Sequence, residues 1–327
     1  MKNGNRAFWV LISVFVWVQS ASIVSAAEWP KAVSVATASI GGSFYYAGTA
    51  LAKIFEKMDV KPNVEVTGGS VHNVKLINSK QVLFAVMTQG TAYEGYNGIE
   101  WAKDKYTNFR SIMVIAPGFA QGWTLPKSNI RDFRDFNGKV VSGGPGGGAS
   151  DMYLRAFGEL LGVKFGKVVS VSFADTINLI QDGMLDVGWA SGAAFTPHPA
   201  ANELTSTLGG AIVGFRPEDV KKLIEKYPSH SATEIPANTY KNQPNPVLTV
   251  SDWAGFFAHK DVPDDMVYRY LELTFANVDL LVATQNIMKD LTPQNQKYLA
   301  LPLHPGAFKF YKDKGISIPE KVLPPRP

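Results

Sequence analysis

The chain has 327 residues, 46% of them hydrophobic and 18% charged, with a formal net charge of +4 and no cysteine. This length allows two domains with a core each, and the composition is that of a folded protein rather than a disordered one. The absence of cysteine excludes disulfide scaffolds, cysteine-ligated zinc, iron–sulfur clusters and thiol nucleophiles.

The first segment is typical of a secretory signal peptide. Lys2 and Arg6 precede the apolar stretch 7–18, and small residues ending at Ala26 provide a cleavage site. The apolar stretch has 12 residues, whereas a membrane span needs about 20. We predict that residues 1–26 are a signal peptide cleaved near Ala26 and that the mature protein is periplasmic. Because the remainder has no basic runs, we expect no nucleic-acid partner. We also expect the protein to be a monomer.

Two stretches of the sequence predict the same order of elements. In each, a strand leads into a glycine-rich loop and a helix, followed by a strand, a short helix and a third strand. Gly42 and Gln89 are 47 residues apart in the first stretch, as are Gly144 and Ser191 in the second. The predicted elements are 31–37, 44–58, 63–67, 71–79 and 82–89 in the first stretch, and 138–142, 153–161, 167–173, 175–181 and 185–191 in the second.

Strands that alternate with helices indicate parallel sheets, in which ligands lie beyond the carboxyl ends of the strands. We therefore predict an α/β fold of the two-lobed periplasmic-binding-protein type (type II-like), with a ligand cleft between lobes that close about a hinge. The loops at those strand ends are 38–43, 68–73, 88–93, 143–150 and 190–196. The predicted parts are 27–117 for the start of lobe 1, 118–250 for lobe 2 and 251–327 for the helices that complete lobe 1.

Two later segments carry less distinct patterns. The stretch 215–246 has scattered proline, asparagine and serine, which favours an irregular surface excursion. From Asp264 to Leu281, apolar residues recur at helical spacing and predict one helix that packs on lobe 1.

No signature of catalysis or of a cofactor is present. The loop 143–150 lacks the lysine of a phosphate-binding loop, and its Gly144-x-Gly146-x-x-Ala149 spacing is a poor dinucleotide fingerprint. The five histidines show no metal-pair spacing, and no Gly-x-Ser-x-Gly elbow occurs. We predict no cofactor, no metal and no catalytic residue.

The predicted loops offer neutral hydrogen-bond donors instead. Two long predicted helices start from them, and helix N-termini favour anions. The loops contain no arginine, and Lys75 and Arg155 lie about a turn downstream. A small anionic or zwitterionic solute, its carboxylate held by amides and hydroxyls, fits this pattern. An alternative is that these glycines only make turns and these serines only cap helices.

Four separated segments, 35–46, 67–73 together with Gln89, 144–151 and 302–307, resemble the TAXI family in the order in which they occur. That family comprises solute-binding proteins of tripartite ATP-independent periplasmic (TRAP) transporters. The resemblance implies a receptor that captures a small carboxylate and delivers it to TRAP membrane permease subunits. The solute would be a glutamate- or glutamine-like amino acid, or an oxo or dicarboxylic acid.

The loop pattern and the resemblance together predict a set of ligand-binding residues. The sequence departs from the family at Gly148, where a hydroxyl is common, and at Ala149, which replaces a glycine. A carboxylate without an ammonium group therefore fits as well as an amino acid does. The predicted ligand-binding residues are Ser39, Gly41, Gly42, Ser43, Phe44, Tyr45, Ser70, Asn73, Gln89, Gly147, Gly148, Ala149, Ser150, Ser191 and Gly192.

Two other functions fit the same fold. One is a ligand-sensing module that presents its occupied form to a membrane sensor. The other is an exported enzyme on the same scaffold, which the missing acid–base pair disfavours. His304, within the fourth segment, is interpreted as part of a structural turn on lobe 1.

Overall fold

A computed structural model describes residues 1, 28–40, 42–192, 196–227 and 229–324. The segment predicted as a signal peptide lies outside these residues except for Met1, and so does Gly41. Within the described residues there are eleven strands and ten α-helices. The strands are β1 (Ala32–Ala36), β2 (Lys61–Glu65), β3 (Phe84–Thr88), β4 (Phe109–Phe119), β5 (Gln121–Thr124), β6 (Val140–Ser142), β7 (Lys167–Val168), β8 (Val187–Ala190), β9 (Ala211–Val213), β10 (Ser231–Ile235) and β11 (Val247–His259). The helices are α1 (Ser43–Glu56), α2 (Ser70–Asn78), α3 (Gln89–Asn97), α4 (Ala149–Leu161), α5 (Asp175–Gln181), α6 (Pro199–Leu208), α7 (Pro217–Lys226), α8 (Asp264–Ala276), α9 (Val278–Thr284) and α10 (Pro305–Asp313).

The strands form two sheets, one in each lobe. The first sheet has the order β10-β11-β3-β1-β2, with β4 also paired to β11, and the second has the order β7-β6-β8-β5-β9. In the first sheet β1 runs parallel to β2 and β3, and in the second β6 runs parallel to β7 and β8. The two units thus share their order and direction, as the equal spacing in the sequence predicts.

Apolar sequence explains the central strands. All five residues of β3 are buried, as expected for a parallel strand covered by helices on both faces. In the first lobe the rings of Phe55, Phe84 and Tyr270 pack with centroids 4.5 to 6.1 Å apart. In the second lobe the Phe133 ring lies 5.1 Å from that of Trp189. Each lobe is therefore built around its own aromatic core.

Two long strands carry the chain between the lobes. β4 ends in the first sheet and β5 begins in the second two residues later. β11 pairs with β3 and β4, while its early residues Leu248 and Val250 accept hydrogen bonds at 2.9 Å from the backbone amides of Phe215 and Ala120 in the second lobe. The predicted lobe boundaries at 117/118 and 250/251 fall within these two strands and stay predictions.

The structure differs from the sequence prediction in three segments. The stretch 215–246 is not an irregular excursion, because it contains α7, whose apolar face is buried in the second lobe, and β10, which pairs with β11. The strand predicted at 167–173 is only two residues long. The single helix predicted from Asp264 breaks at Asn277, whose side-chain amide donates to the Leu273 carbonyl at 2.7 Å. No helix among the described residues is long and apolar enough to cross a membrane.

Candidate functional site

A cavity of about 450 Å³, its open mouth included, lies between the two lobes. Loops at the carboxyl ends of β1, β2, β6 and β8 line it, so it occupies the place that the parallel sheets predict. The lining residues are Ala38, Ser39, Gly42, Ser43, Phe44, Gly68, Gly69 and Ser70 from the first lobe, and Gly143, Pro145, Gly148, Ala149, Ser150, Phe173, Ala190, Ser191 and His198 from the second.

Nine of the predicted ligand-binding residues line this cavity. They come from both lobes, although they are far apart in the sequence. Gly41, a tenth, lies outside the described residues. The nine are Ser39, Gly42, Ser43, Phe44, Ser70, Gly148, Ala149, Ser150 and Ser191.

Asn73 and Gln89 lie away from the cavity lining and have partners within the protein. The Asn73 amide donates to the carbonyl oxygens of Thr37 at 2.7 Å and Val86 at 2.8 Å. The Gln89 side-chain oxygen accepts a hydrogen bond from the Ala300 amide at 3.0 Å. Both side chains therefore form hydrogen bonds with the backbone of the first lobe.

Three further predicted residues, Tyr45, Gly147 and Gly192, also lie outside the lining. The Tyr45 ring meets that of Tyr46 edge-on, with centroids 5.9 Å apart. Gly192 has a φ of +67°, and a Cβ there would lie 2.7 Å from Thr88 Cγ2, across the boundary between the lobes. Gly192 therefore serves the close approach of the two lobes.

Three helices begin at the cavity without a side-chain cap. The N-caps of α1, α2 and α4 are Gly42, Gly69 and Gly148, all three in the lining. Among the other α-helices of the described residues, only α3 and α10 have a side-chain cap, from the Thr88 hydroxyl and the His304 imidazole. The N-terminus of a helix carries partial positive charge from the aligned peptide dipoles. Three such ends at one cavity favour an anion there.

The two lobes touch beside the cavity through glycine. A Cβ on Gly148 would lie 2.6 Å from the carbonyl oxygen of Gly68, and one on Gly69 would lie 3.5 Å from the Cα of Gly148. Gly69 also has a φ of +94°, which favours glycine. The glycines of both loops therefore allow the backbones of opposite lobes to meet.

Four polar atoms of the lining are buried without a hydrogen-bond partner in the protein. They are the hydroxyl oxygens of Ser39, Ser43 and Ser191 and Nδ1 of His198. Leaving a buried polar group unsatisfied costs about 1–3 kcal/mol. Four such atoms, contributed to one cavity by both lobes, favour a polar ligand there.

The other two serines of the lining have partners. The Ser70 hydroxyl accepts a hydrogen bond from the Thr88 amide at 3.0 Å. The Ser150 hydroxyl lies 3.1 Å from both the amide and the carbonyl oxygen of Ser191, and it bonds with both. These two side chains hold the loops in position and leave the unpartnered hydroxyls facing the cavity.

His198 is a lining residue that the sequence did not point to. It is 1% exposed, and its ring stacks on that of Trp123 with centroids 4.9 Å apart. Its backbone amide donates to the Tyr240 hydroxyl at 2.6 Å. Burial lowers the pKa of its imidazole to about 3, so the ring is neutral at physiological pH. A single histidine between two prolines gave no signal of this position.

No aspartate, glutamate, lysine or arginine is among the described residues that line the cavity. Arg155 pairs with Asp151 one turn away on α4, with Nη2 3.1 Å from Oδ1. Lys75 is exposed on α2. The described residues also hold no group of three metal-ligating side chains. The helix ends and the neutral polar groups thus dominate the electrostatics of the cavity.

Comparisons with known proteins agree with this architecture. A model of the NMT1-like family matches residues 35–315, most of the chain. A periplasmic transporter structure is similar at 13% identity with a TM-score of 0.54, covering 88% of this chain and 98% of that one. The periplasmic binding protein BugD is similar at 14% identity with a TM-score of 0.53, covering 88% and 99%. MatC from Rhodopseudomonas palustris, solved with bound malate, is similar at 12% identity with a TM-score of 0.54, covering 79% and 88%. The predicted two-lobed α/β fold is confirmed.

Proposed function

This chain belongs to the NMT1-like family, and we propose that it is the extracytoplasmic solute-binding receptor of a TRAP-type secondary transporter. It captures a small carboxylate in the cavity between its lobes and delivers it to the membrane permease subunits. Within the family we assign it to the TAXI proteins on the four sequence segments that resemble them. The observation that carries the proposal is the cavity itself, in which three uncapped helix ends and four unpartnered polar atoms surround a space without charged side chains.

The carboxylate is held by backbone amides and hydroxyls. Each helix end contributes about 0.3–1 kcal/mol at an exposed site and more where it is partly buried. When the lobes close over the ligand and exclude water, these dipoles act at a lower effective dielectric than they would at the surface. A cationic side chain is therefore not required for the ligand's charge.

Binding closes the lobes. Ser39 and Ser43 belong to the first lobe, whereas Ser191 and His198 belong to the second. A solute that bonds to all four binds the closed arrangement better than an open one, so it shifts the population towards closure. β4 and β11, which connect the two sheets, are the hinge in this scheme.

The protein acts outside the cytoplasm and carries out no chemistry. Cleavage near Ala26 releases a periplasmic monomer, whose partners are its solute and the permease. His198 is the titratable side chain of the described lining, and its depressed pKa makes its imidazole a weak base that is not in the acidic imidazolium form at neutral pH. This supports a binding function rather than an enzymatic one.

Substitution of the unpartnered hydroxyls tests the proposal. A thermal-shift screen of the mature chain against amino acids, oxo acids and dicarboxylates first identifies a ligand, since binding to the native state raises its stability. Ser43→Ala and Ser191→Ala then each weaken that ligand by about 5- to 150-fold, which corresponds to about 1–3 kcal/mol. Ser206→Ala, at an exposed position on α6, is the matched control and leaves affinity unchanged. Unchanged affinity in both cavity variants would contradict the proposed site.

A further inference from the structure

An ammonium group finds no counter-charge in the cavity. The described lining contains no carboxylate, and the Asp151 carboxylate, next to Ser150 in the chain, is bound by Arg155 through Nε at 3.2 Å and Nη2 at 3.1 Å. The three helix ends present partial positive charge to the same space. A buried cation here would be both unpaired and repelled.

A second carboxylate is also left unpaired. His198 is neutral, and no lysine or arginine lies in the described lining. The remaining walls include Phe44, Phe173, Pro145 and small apolar residues. Once the first carboxylate occupies the helix ends, burying a second one costs several kcal/mol, because the neutral hydroxyls that remain replace its water only in part and no cation offsets its charge.

A neutral polar substituent beside the carboxylate does find partners. The hydroxyls of Ser43 and Ser191 can donate or accept, and Nδ1 of His198 is a further unpartnered atom in the second lobe. An oxo or hydroxyl oxygen meets these groups without bringing a charge. The apolar walls then suit a short hydrocarbon chain.

We propose that the cavity selects a singly charged carboxylate with no amino group, such as a 2-oxo or 2-hydroxy monocarboxylic acid with a short apolar chain. The inference rests on the proposed function as a carboxylate receptor and narrows its solute. It excludes both amino acids and dicarboxylates as the preferred ligand.

Matched compounds test this selection by isothermal titration calorimetry on the mature chain. The first set shares a four-carbon skeleton and consists of 2-oxobutanoate, 2-hydroxybutanoate, 2-aminobutanoate and succinate. The second, which controls for size, consists of 2-oxohexanoate, 2-hydroxyhexanoate, 2-aminohexanoate and adipate. In at least one set we expect the oxo or hydroxy acid to bind at least about tenfold more tightly than the amino acid and the dicarboxylate of equal length.

The outcomes separate this inference from the function on which it rests. An amino acid or dicarboxylate that binds as tightly as its oxo analogue, and more weakly to Ser43→Ala and Ser191→Ala, overturns the charge selection and leaves the receptor function standing. If none of the eight compounds binds and the broader screen of amino acids, oxo acids and dicarboxylates is silent, both are overturned. Tighter binding of the oxo or hydroxy acid that is lost in the serine variants supports both.

Discussion

The cavity and the neighbouring junction between the lobes both bury polar groups, but they do so with opposite chemistry. The described lining of the cavity has no charged side chain, although both regions contain buried polar atoms without a partner in the protein. At the junction, the Tyr153 hydroxyl of α4 donates to the Glu94 carboxyl of α3 at 3.1 Å, and Asp252 of β11 accepts a hydrogen bond from the Gly90 amide at 3.1 Å. The described lining of the cavity thus contributes no charged group, whereas at the junction carboxyl groups of the protein accept hydrogen bonds.

Burial has a different consequence in each region. It raises the pKa of Glu94 to about 8 and that of Asp252 to about 7, because desolvation outweighs the hydrogen bonds that each carboxyl accepts and the attraction of Lys226 for Glu94. At the cavity, burial instead keeps the His198 imidazole neutral. Protons therefore bind to the junction near neutral pH while the cavity stays uncharged. Side by side between the same two lobes, the cavity is suited to the charge of a ligand, whereas the junction holds ionisable groups of the protein.

The largest effect is expected where the lobes touch beside the cavity. Gly148→Ala keeps a permitted backbone conformation, with φ −80° and ψ 162°, yet its Cβ would lie 2.6 Å from the Gly68 carbonyl oxygen. The lobes then cannot close fully, so the unpartnered groups of the two lobes can no longer contact one solute together. We therefore expect solute affinity to fall by at least about 100-fold. Calorimetry measures the loss, and the melting temperature without ligand should be near that of the parent chain.

Gly146→Ala is the matched control in the same loop. Its Cβ would approach the Ser170 hydroxyl at 3.3 Å, and a side-chain hydroxyl can rotate away. Affinity should stay within a few-fold of the parent. Equal losses in both variants would show that the loop, rather than the contact between lobes, sets binding.

A moderate effect is expected at the junction, in stability rather than in binding. Because the folded pKa of Glu94 is about 8, against 4.5 in the unfolded chain, the folded state binds the proton more tightly. Its contribution to stability is present below about pH 4.5 and is lost as the pH rises towards about 8. Glu94→Gln removes this loss, so the melting temperature of the variant relative to the parent should increase with pH, by roughly 2–4 °C for each kcal/mol regained.

Calorimetric scans between about pH 5 and about pH 8 measure this trend across the window set by Glu94. Glu100→Gln is the control, because Glu100 lies next to the junction but is half-exposed and paired with Lys226 at 2.9 Å. A difference between Glu94→Gln and parent that is constant across this pH range would refute the assignment of a buried neutral acid to the junction.

The smallest effect is expected at the cations near the cavity. Arg155 is committed to Asp151, and Lys75 is exposed, so neither contacts the described lining. Arg155→Ala and Lys75→Ala should each change solute affinity by less than about twofold, and affinity should depend only weakly on salt because the dipoles that hold the anion are buried. Loss of binding in Arg155→Ala with normal binding in Gly148→Ala would show that a cationic side chain, rather than the helix ends and hydroxyls, holds the anion.

Local sequence was enough to predict the central strands, the repeated order of elements and the loops that reach the cavity, but not the short β7 or the edge strand β10. It could not distinguish Ser70 from Asn73, which lie one turn apart on α2. Ser70 faces the cavity, whereas Asn73 meets the carbonyl oxygens of Thr37 and Val86, and this difference depends on how the helix is rotated against the sheet. Phe173 and His198 were missed for the same reason, because packing of the second lobe brings them to the cavity.

The glycine contact between Gly69 and Gly148 bears on the proposed delivery of solute to a membrane permease. With no side chains at that point, the empty receptor gains little from bringing its two halves together there. We therefore expect the closed arrangement of the lobes to be populated mainly when a solute bridges the hydroxyls of the two lobes. Under the proposed function, the closed shape would then signal a bound solute, and a permease that docks only the closed shape would not bind the empty receptor.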